Sequence, residues 1–242
     1  MNLFPLFPST CHVTPPPSYG CSGARSQFAN ARRWFATVLL AALSLCLATG
    51  PLTAGPKPIQ LVVLGDSLSA GYLLPQDAAF PQVLEKALAA DGIPVDIGNA
   101  GVSGDTASGG LERLDWAVPE GTQAVLVELG ANDMLRGVDP VRTREALDQI
   151  IVRLKGRGIK VMLAGMLASP SLGRDYGDRF NAIHPELAAR HAIPLYPFFL
   201  EKIAGDPALN LIDGLHPNRA GVETIVRTIL PAVKAFLAEL RG

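Results

Sequence analysis

The chain alternates short apolar runs with longer amphipathic stretches from residue 59 to its end. The apolar runs predict five strands, at residues 59–64, 95–100, 124–129, 160–166 and 193–196. Apolar residues recur with helical spacing between and after these runs, which predicts helices at residues 78–90, 108–117, 139–155, 175–191 and 219–240. Short buried strands that alternate with longer helices are typical of a parallel sheet with helices on both faces. We therefore expect one α/β domain, a three-layer α/β/α fold, over residues 56–242.

The composition fits a compact globular enzyme. Of the 242 residues, 48% are apolar and 18% are charged, which argues against a disordered protein. The formal net charge is -1 and the sequence contains no block of basic residues, so nucleic acid is not expected as a partner. The sequence gives no reason to infer a protein partner.

Residues 1–55 differ in kind from the rest of the chain and are interpreted as a leader. They contain no Asp or Glu, and Arg32 and Arg33 directly precede an uncharged apolar stretch at residues 34–50. A basic flank, a short apolar run and small residues beyond it form the layout of a secretory signal. The run is shorter than the roughly 20 residues of a comfortable membrane span. The sequence predicts a periplasmic or secreted protein with no stable span in its mature form. The alternative is a membrane anchor at residues 34–50.

All three cysteines lie in this leader, at Cys11, Cys21 and Cys46. The domain that follows then has no disulfide, no thiolate metal ligand and no cysteine nucleophile. Its histidines and carboxylates show no metal-ligand spacing such as His-x-x-x-His, and no P-loop or dinucleotide-binding motif is present. Neither a metal nor a cofactor is expected.

Ser67 is the candidate nucleophile. It lies in Gly-Asp-Ser-Leu-Ser, residues 65–69, directly after the first predicted strand. A serine hydroxyl becomes a good nucleophile only when a nearby base takes its proton. Gly-Asp-Ser on its own is also common turn and helix-capping chemistry, so a structural role for Ser67 is the alternative. The segment is not a Gly-x-Ser-x-Gly elbow, because Ser69 replaces the last glycine.

His216 is the candidate base. His12 lies in the leader, His184 is interpreted as a helix-face residue, and His191 lies at a predicted helix end. His216 lies in a loop three residues after Asp213, whose carboxylate can accept a hydrogen bond from imidazole Nδ1 and leave Nε2 for the serine proton. The alternative is that both residues only shape a turn before the last helix.

Gly104 and Asn132 are the candidate oxyanion donors. Gly104 follows the second predicted strand and Asn132 follows the third, so both lie in loops at the carboxyl edge of the expected sheet. The Asn132 amide and the backbone N–H groups of the glycine-rich loop can donate hydrogen bonds. Asn and Gly are also ordinary loop residues, so each position is weak alone and the set is informative only together.

Four motifs in this order resemble the blocks of the SGNH hydrolase (GDSL lipase/esterase) superfamily. They are Gly-Asp-Ser-Leu-Ser, Ser-Gly-Asp-Thr, Gly-x-Asn-Asp and Asp-x-x-His-Pro-Asn. The chain is most similar to the bacterial thioesterase I, lysophospholipase and arylesterase branch. This resemblance implies a flavodoxin-like fold and a serine esterase with Ser67 as nucleophile, His216 as base and Asp213 as its orienting carboxylate. It also implies an oxyanion hole formed by the Ser67 and Gly104 N–H groups and the Asn132 side chain.

The substrate implied by the resemblance is a small-molecule acyl ester, thioester or lysophospholipid. Leu74 and Pro75, after the nucleophile, and Met134 and Leu135, after Asn132, are candidates to line an acyl groove. Ordinary packing is the alternative for each of them. Two other functions stay open at this point, a carbohydrate-deacetylating esterase and a non-catalytic lipid- or acyl-binding protein on the same fold.

Overall fold

The computed structural model describes residues 57–240, together with the isolated positions 14, 15 and 17. The predicted leader lies almost wholly outside these residues, as do its three cysteines, the apolar stretch at residues 34–50 and the boundary at residue 55. These assignments therefore stay predictions. Across the part of the chain that is described, no helix is long and apolar enough to cross a membrane.

A parallel sheet of five strands forms the centre of the domain, in the order β2-β1-β3-β4-β5. The strands are β1 (Ile59–Gly65), β2 (Val95–Gly101), β3 (Ala124–Glu128), β4 (Lys160–Ala164) and β5 (Leu195–Tyr196). β3 is buried along its whole length and β1 at every residue except Gln60, in agreement with their mainly apolar sequences. All five predicted strands are confirmed, although β5 covers only the last two residues of its predicted range.

Helices cover both faces of this sheet. They are α1 (Ser67–Ala70), α2 (Phe80–Ala90), α3 (Ala107–Glu112), α4 (Leu114–Ala117), α5 (Ala131–Leu135), α6 (Pro140–Gly156), α7 (Arg174–Asn181), α8 (Ile183–His191) and α9 (Arg219–Ala238). α2 packs against α9, whereas α3 and α8 pack against α6. Right-handed crossovers place these two groups on opposite faces, because the chain moves one way along the sheet from β1 to β2 and the other way from β3 to β5. The three-layer α/β/α fold is confirmed.

Two predicted helices are in fact broken. The helix expected at residues 108–117 stops at Arg113, whose buried guanidinium is held by Asp105 and by the carbonyl of Gly65. The helix expected at residues 175–191 ends at Asn181 and restarts at Ile183. The cause of the second break is Pro185, which has no N–H for the Asn181 carbonyl and whose ring would clash with it.

Three strands end level with one another where the candidate site is expected. Gly65, the last residue of β1, is paired with Gly101 of β2 on one side and with Glu128 of β3 on the other. The loops after these strands therefore lie side by side at the carboxyl edge of the sheet. With this strand order, the chain reverses direction between β1 and β3, which is where open α/β sheets form their binding crevice.

Candidate active site

Ser67 is the first residue of α1, a single helical turn directly behind β1. Asp66 caps this turn, because its Oδ1 accepts a hydrogen bond of 2.9 Å from the Leu68 N–H. Gly65 must be glycine here, since a Cβ at this position would lie 2.2 Å from the Ser69 Oγ and 2.6 Å from Glu128 Oε2. The sharp turn from strand to helix thus sets Ser67 at the edge of the sheet.

His216 bridges Ser67 and Asp213. Its Nε2 lies 2.8 Å from Ser67 Oγ, and its Nδ1 lies 2.7 Å from Asp213 Oδ2. The other carboxylate oxygen, Oδ1, accepts the N–H groups of Leu215 and His216. These backbone donors, that of His216 first, lower the pKa of Asp213 to about 2. An ionised Asp213 accepts the Nδ1 proton, which leaves the Nε2 lone pair directed at the serine hydroxyl.

Tyr72 contacts the face of the same imidazole. The two ring centroids are 4.4 Å apart and the planes are tilted by 35°. The Tyr72 N–H donates to the Ser67 carbonyl over 3.2 Å, so the tyrosine is fixed to the turn that carries the candidate nucleophile. No sequence pattern predicts this contact, because the two aromatic rings lie far apart along the chain.

The sequence predicts Asn132 in a loop, but it lies in the short helix α5, whereas Gly104 does lie in the loop after β2. Asn132 Nδ2 donates to Asp66 Oδ2 over 2.9 Å. Arg136, one residue beyond α5, donates from its guanidinium to the Gly104 carbonyl over 2.7 Å. Gly104 adopts φ 86°, a left-handed conformation that favours glycine. The structure therefore brings both candidate oxyanion donors to the edge where Ser67 lies.

A fully buried carboxyl group lies beneath this edge. Glu128 Oε2 accepts a 2.6 Å hydrogen bond from the Ser69 hydroxyl and a longer one, of 3.4 Å, from the Asp66 N–H. Burial raises the pKa of Asp66 to about 6. Burial, with the nearby charge of Asp66, raises the pKa of Glu128 well above its ordinary value. The two carboxyls are coupled, so ionisation of Asp66 disfavours ionisation of Glu128.

His184 supports the backbone behind Asn132. It is buried, and its Nε2 lies 3.3 Å from the carbonyl of Leu129, two residues before α5 begins. Burial lowers the pKa of His184 to about 4, so the ring is neutral and donates this hydrogen bond from Nε2. Its interpretation as a helix-face residue did not anticipate a buried contact with another element.

The four candidate acyl-groove residues flank the site on two elements. Leu74 and Met134 are half-buried against the hydrophobic core, whereas Pro75 and Leu135 are exposed. Met134 and Leu135 share α5 with Asn132, and Leu74 and Pro75 follow Tyr72. Their role in substrate binding stays a prediction.

Within residues 57–240, no group of three or more His, Cys, Asp or Glu side chains is placed to hold a metal ion. The polar groups at the site are instead arranged as a chain of hydrogen bonds from carboxylate to imidazole to hydroxyl. A serine hydroxyl joined in this way to an imidazole and a carboxylate is the constellation of a serine hydrolase.

Comparison with known proteins identifies the family of this serine hydrolase. The sequence model of the GDSL-like lipase/acylhydrolase family matches residues 63–223, and the chain belongs to this family. It is 40% identical over 177 residues to an arylesterase of Vibrio mimicus, covering 73% of this chain and 88% of the relative. It is 38% identical over 193 residues to thioesterase 1/protease 1/lysophospholipase L1 of Escherichia coli, covering 79% of this chain and 88% of that protein.

Solved structures agree with this assignment. The crystal structure of AlinE4, an SGNH-hydrolase family esterase, aligns with a TM-score of 0.64 and 40% identity over 75% of this chain and 98% of its own. The protein is a serine esterase or thioesterase of the SGNH type, as its motifs and relatives agree.

Sequence reasoning missed Asp66, Tyr72, Glu128 and His184 as parts of the site. Two of them carry a signal in retrospect. Glu128 is a lone carboxylate at the end of an otherwise apolar run, and a buried charge of this kind needs a specific partner. Asp66 lies inside the Gly-Asp-Ser motif, where it was interpreted only as turn chemistry.

Proposed function

We propose that Ser67 is the nucleophile of an acyl-transfer reaction to water and that His216 moves its proton. Ser67 Oγ bonds to the acyl carbon while its proton passes to His216 Nε2. The tetrahedral intermediate then expels an alkoxide or a thiolate, which takes that proton from His216. Water, deprotonated by the same imidazole, attacks the acyl-enzyme and releases the carboxylic acid and the free serine.

One observation carries this proposal, the continuous hydrogen-bonded chain from Asp213 through His216 to Ser67. The two distances, 2.7 Å and 2.8 Å, are those of a base already placed to accept the serine proton. The low pKa of Asp213 keeps its carboxylate charged, which stabilises the imidazolium formed during attack. No rearrangement of the three side chains is needed before the first proton transfer.

The negative charge that develops on the substrate oxygen needs donors, and we assign them to the N–H groups of Ser67 and Gly104 and to the Asn132 amide. The segments that carry these groups follow adjacent strands that end level with one another. Arg136 donates to the Gly104 carbonyl, which restrains the peptide that follows the Gly104 N–H. Donors fixed before the reaction cost no reorganisation when the charge appears.

The substrate is an acyl ester or thioester with an apolar acyl chain. One relative is an arylesterase and the other a thioesterase and lysophospholipase, so their names cover aryl esters, thioesters and lysophospholipids. Leu74, Pro75, Met134 and Leu135 supply apolar surface on the two elements that leave the site, which favours a chain longer than acetyl. A lysophospholipid fits the same description, with its acyl ester at Ser67.

The enzyme acts outside the cytoplasm, directed there by residues 1–55. The support is the absence of acidic residues in this segment and the basic flank of its apolar stretch. Fractionation of cells that express the full chain, with amino-terminal sequencing of the product, tests this. Export with loss of the leader is expected, and an uncut chain in the cytoplasm would contradict it.

The test of the catalytic proposal is hydrolysis of an ester and thioester series by the full chain, with Ser67→Ala as control. Wild-type protein should hydrolyse the series and label covalently with a fluorophosphonate, whereas the Ser67→Ala variant should do neither. Labelling that persists in the folded variant would place the nucleophile elsewhere.

A further inference from the structure

Asn132, the proposed oxyanion donor, has one of its two amide protons already engaged. Its Nδ2 donates to Asp66 Oδ2 over 2.9 Å. An amide nitrogen carries two protons, so this bond leaves one free to meet a substrate oxygen. The same bond fixes the direction in which the free proton points.

The identity of the partner decides which end of the amide faces the site. An ionised carboxylate accepts hydrogen bonds and donates none, so it binds the NH₂ group of Asn132 and repels the carbonyl oxygen. With a neutral partner able to donate, the amide could rotate by half a turn and present its oxygen to the oxyanion. The charge of Asp66 therefore excludes the unproductive orientation of Asn132.

Asp66 is itself held rigidly. Its residue is 1% exposed, its Oδ1 accepts from the Leu68 N–H and its own N–H donates to Glu128. Since Leu68 is the neighbour of Ser67 in α1, a single carboxylate joins α1 to α5, the short helix that carries Asn132. These two bonds resist an independent shift of either helix.

The groups around Asp66 shift the pKa of its carboxyl in opposite directions. Burial raises the pKa of Asp66 and nearby Asp105 raises it further, whereas His216 lowers it. Burial and the charge of Asp66 both raise the pKa of Glu128, which disfavours a second negative charge beneath Asp66. The imidazolium that His216 becomes during catalysis favours the ionised form of Asp66 at the moment when the oxyanion develops.

We propose that Asp66 is a positioning residue of the oxyanion hole, which acts through Asn132 by holding its amide with one N–H turned toward the substrate oxygen. The proposal rests on the oxyanion role assigned above to Asn132. Asp66 touches no substrate atom in this scheme, and its effect on the reaction passes wholly through the Asn132 side chain.

A double-mutant cycle on the full chain tests this, using Asp66→Asn, Asn132→Ala and the combination, with hydrolysis of a para-nitrophenyl ester as the assay. Asp66→Asn keeps the size and the helix-capping oxygen of the side chain but lacks its charge. In the wild-type background it should lower kcat by about 10- to 100-fold with KM unchanged, because the lost contact serves only the transition state.

In the Asn132→Ala background the same substitution should lower kcat by less than about threefold, since the residue through which Asp66 acts is gone. Equal losses in both backgrounds, or an unchanged kcat for Asp66→Asn alone, would overturn the inference. An unchanged kcat for Asn132→Ala alone would instead remove the oxyanion role of Asn132, so the two failures are distinguishable.

A second readout needs no activity. In the unliganded wild type, one Asn132 side-chain amide proton should exchange slowly with solvent and show the NMR shift of a hydrogen-bonded proton, assigned by its loss in Asn132→Ala. Asp66→Ser, which retains a capping hydroxyl but is too short to reach Asn132, should abolish that protection while the thermal unfolding midpoint stays close to that of Asp66→Asn. Protection that survives in Asp66→Ser would contradict the positioning role.

Discussion

The ring of Tyr72 packs against the imidazole of His216, with 4.4 Å between the two centroids. The contact joins the turn that carries Ser67 to the loop that carries Asp213. Tyr72 covers the face of the imidazole, whereas Ser67 and Asp213 bond to its two nitrogens. An aromatic face attracts a cation, so this placement favours the positively charged imidazole that forms when the base takes a proton. The Tyr72 hydroxyl makes no hydrogen bond to any residue within 57–240. We therefore expect the ring of Tyr72, and not its hydroxyl, to stabilise the charged imidazole.

Replacing Tyr72 by leucine should therefore lower kcat by about 2- to 5-fold, the value of an exposed cation–aromatic contact. Tyr72→Phe retains the ring and should keep at least most of the wild-type kcat. Steady-state rates on one activated ester, with both variants checked for unchanged folding by circular dichroism, measure this. An equal loss in both variants would assign the effect to the hydroxyl.

Removing the Asn132 amide should cost far more. Asn132→Ala is expected to lower kcat by about 10²- to 10³-fold, or about 2.7–4 kcal/mol of transition-state stabilisation, as for a single oxyanion donor. KM should change little, because the donor meets charge only in the transition state. Asn181→Ala on α7, where the side chain accepts the Ala168 N–H, is a control for the loss of a hydrogen-bonded, partly buried asparagine. A rate for Asn132→Ala within a few-fold of wild type would rule out this donor.

The buried His184 should make the fold sensitive to acid. Its pKa is lowered from 6.5 to about 4 in the folded protein. The unfolded chain therefore binds a proton at a higher pH than the folded one, and the free energy of unfolding falls as pH drops from about 6.5 toward 4. The full loss from this residue is about 3 kcal/mol, measured by urea unfolding at a series of pH values.

Two variants isolate this effect. His184→Phe places an apolar ring beside Phe180 and has no group that titrates. Between neutral and acid pH, its free energy of unfolding should therefore fall by about 3 kcal/mol less than that of the wild type. His191→Phe, at the other end of α8, keeps His184 and should retain the full acid loss. Identical pH profiles for wild type and His184→Phe would show that the ring is not buried in its neutral form.

The acyl groove can be probed at Leu135, which is 51% exposed beside Asn132. Leu135→Ser should raise KM for a para-nitrophenyl dodecanoate about 3- to 10-fold and leave the acetate unaffected, because only the long chain covers apolar surface there. Val152→Ser is the matched control, since Val152 on α6 is 53% exposed and not a groove candidate. A chain-length effect of equal size in both variants would place the acyl chain elsewhere.

Sequence pattern predicts this fold well wherever the local pattern and the tertiary packing agree. The apolar runs of β1 and β3, in which Gln60 and Glu128 are the polar residues, indicate strands buried on both faces, and their alternation with helices indicates a parallel sheet. The pattern fails at residue 113, where a buried arginine ends a helix to reach the carbonyl of Gly65, 48 residues away. Pro185 is a local indication of the second break. The helical spacing of the apolar residues around it nevertheless led to the prediction of one continuous helix.

The candidate site shows the same division. Ser67, Asp213 and His216 were identified from residue type, spacing and position after strands, and the structure brings them together. Asp66, Tyr72 and His184 are connected to the site by contacts with residues distant in sequence, and such contacts produce no periodicity or spacing from which they could be predicted. A positioning residue is recognised only when its partner is known.

The glycine of the first motif belongs to one packing unit with two other side chains. A Cβ at Gly65 would lie 2.2 Å from Ser69 Oγ and 2.6 Å from Glu128 Oε2. A side chain at position 65 would therefore displace the hydrogen bond between Ser69 and Glu128. Replacement of Gly65 should be better tolerated when Ser69 or Glu128 is made smaller as well, so the two ends of Gly-Asp-Ser-Leu-Ser and the strand carboxylate form a single unit for any redesign of this edge.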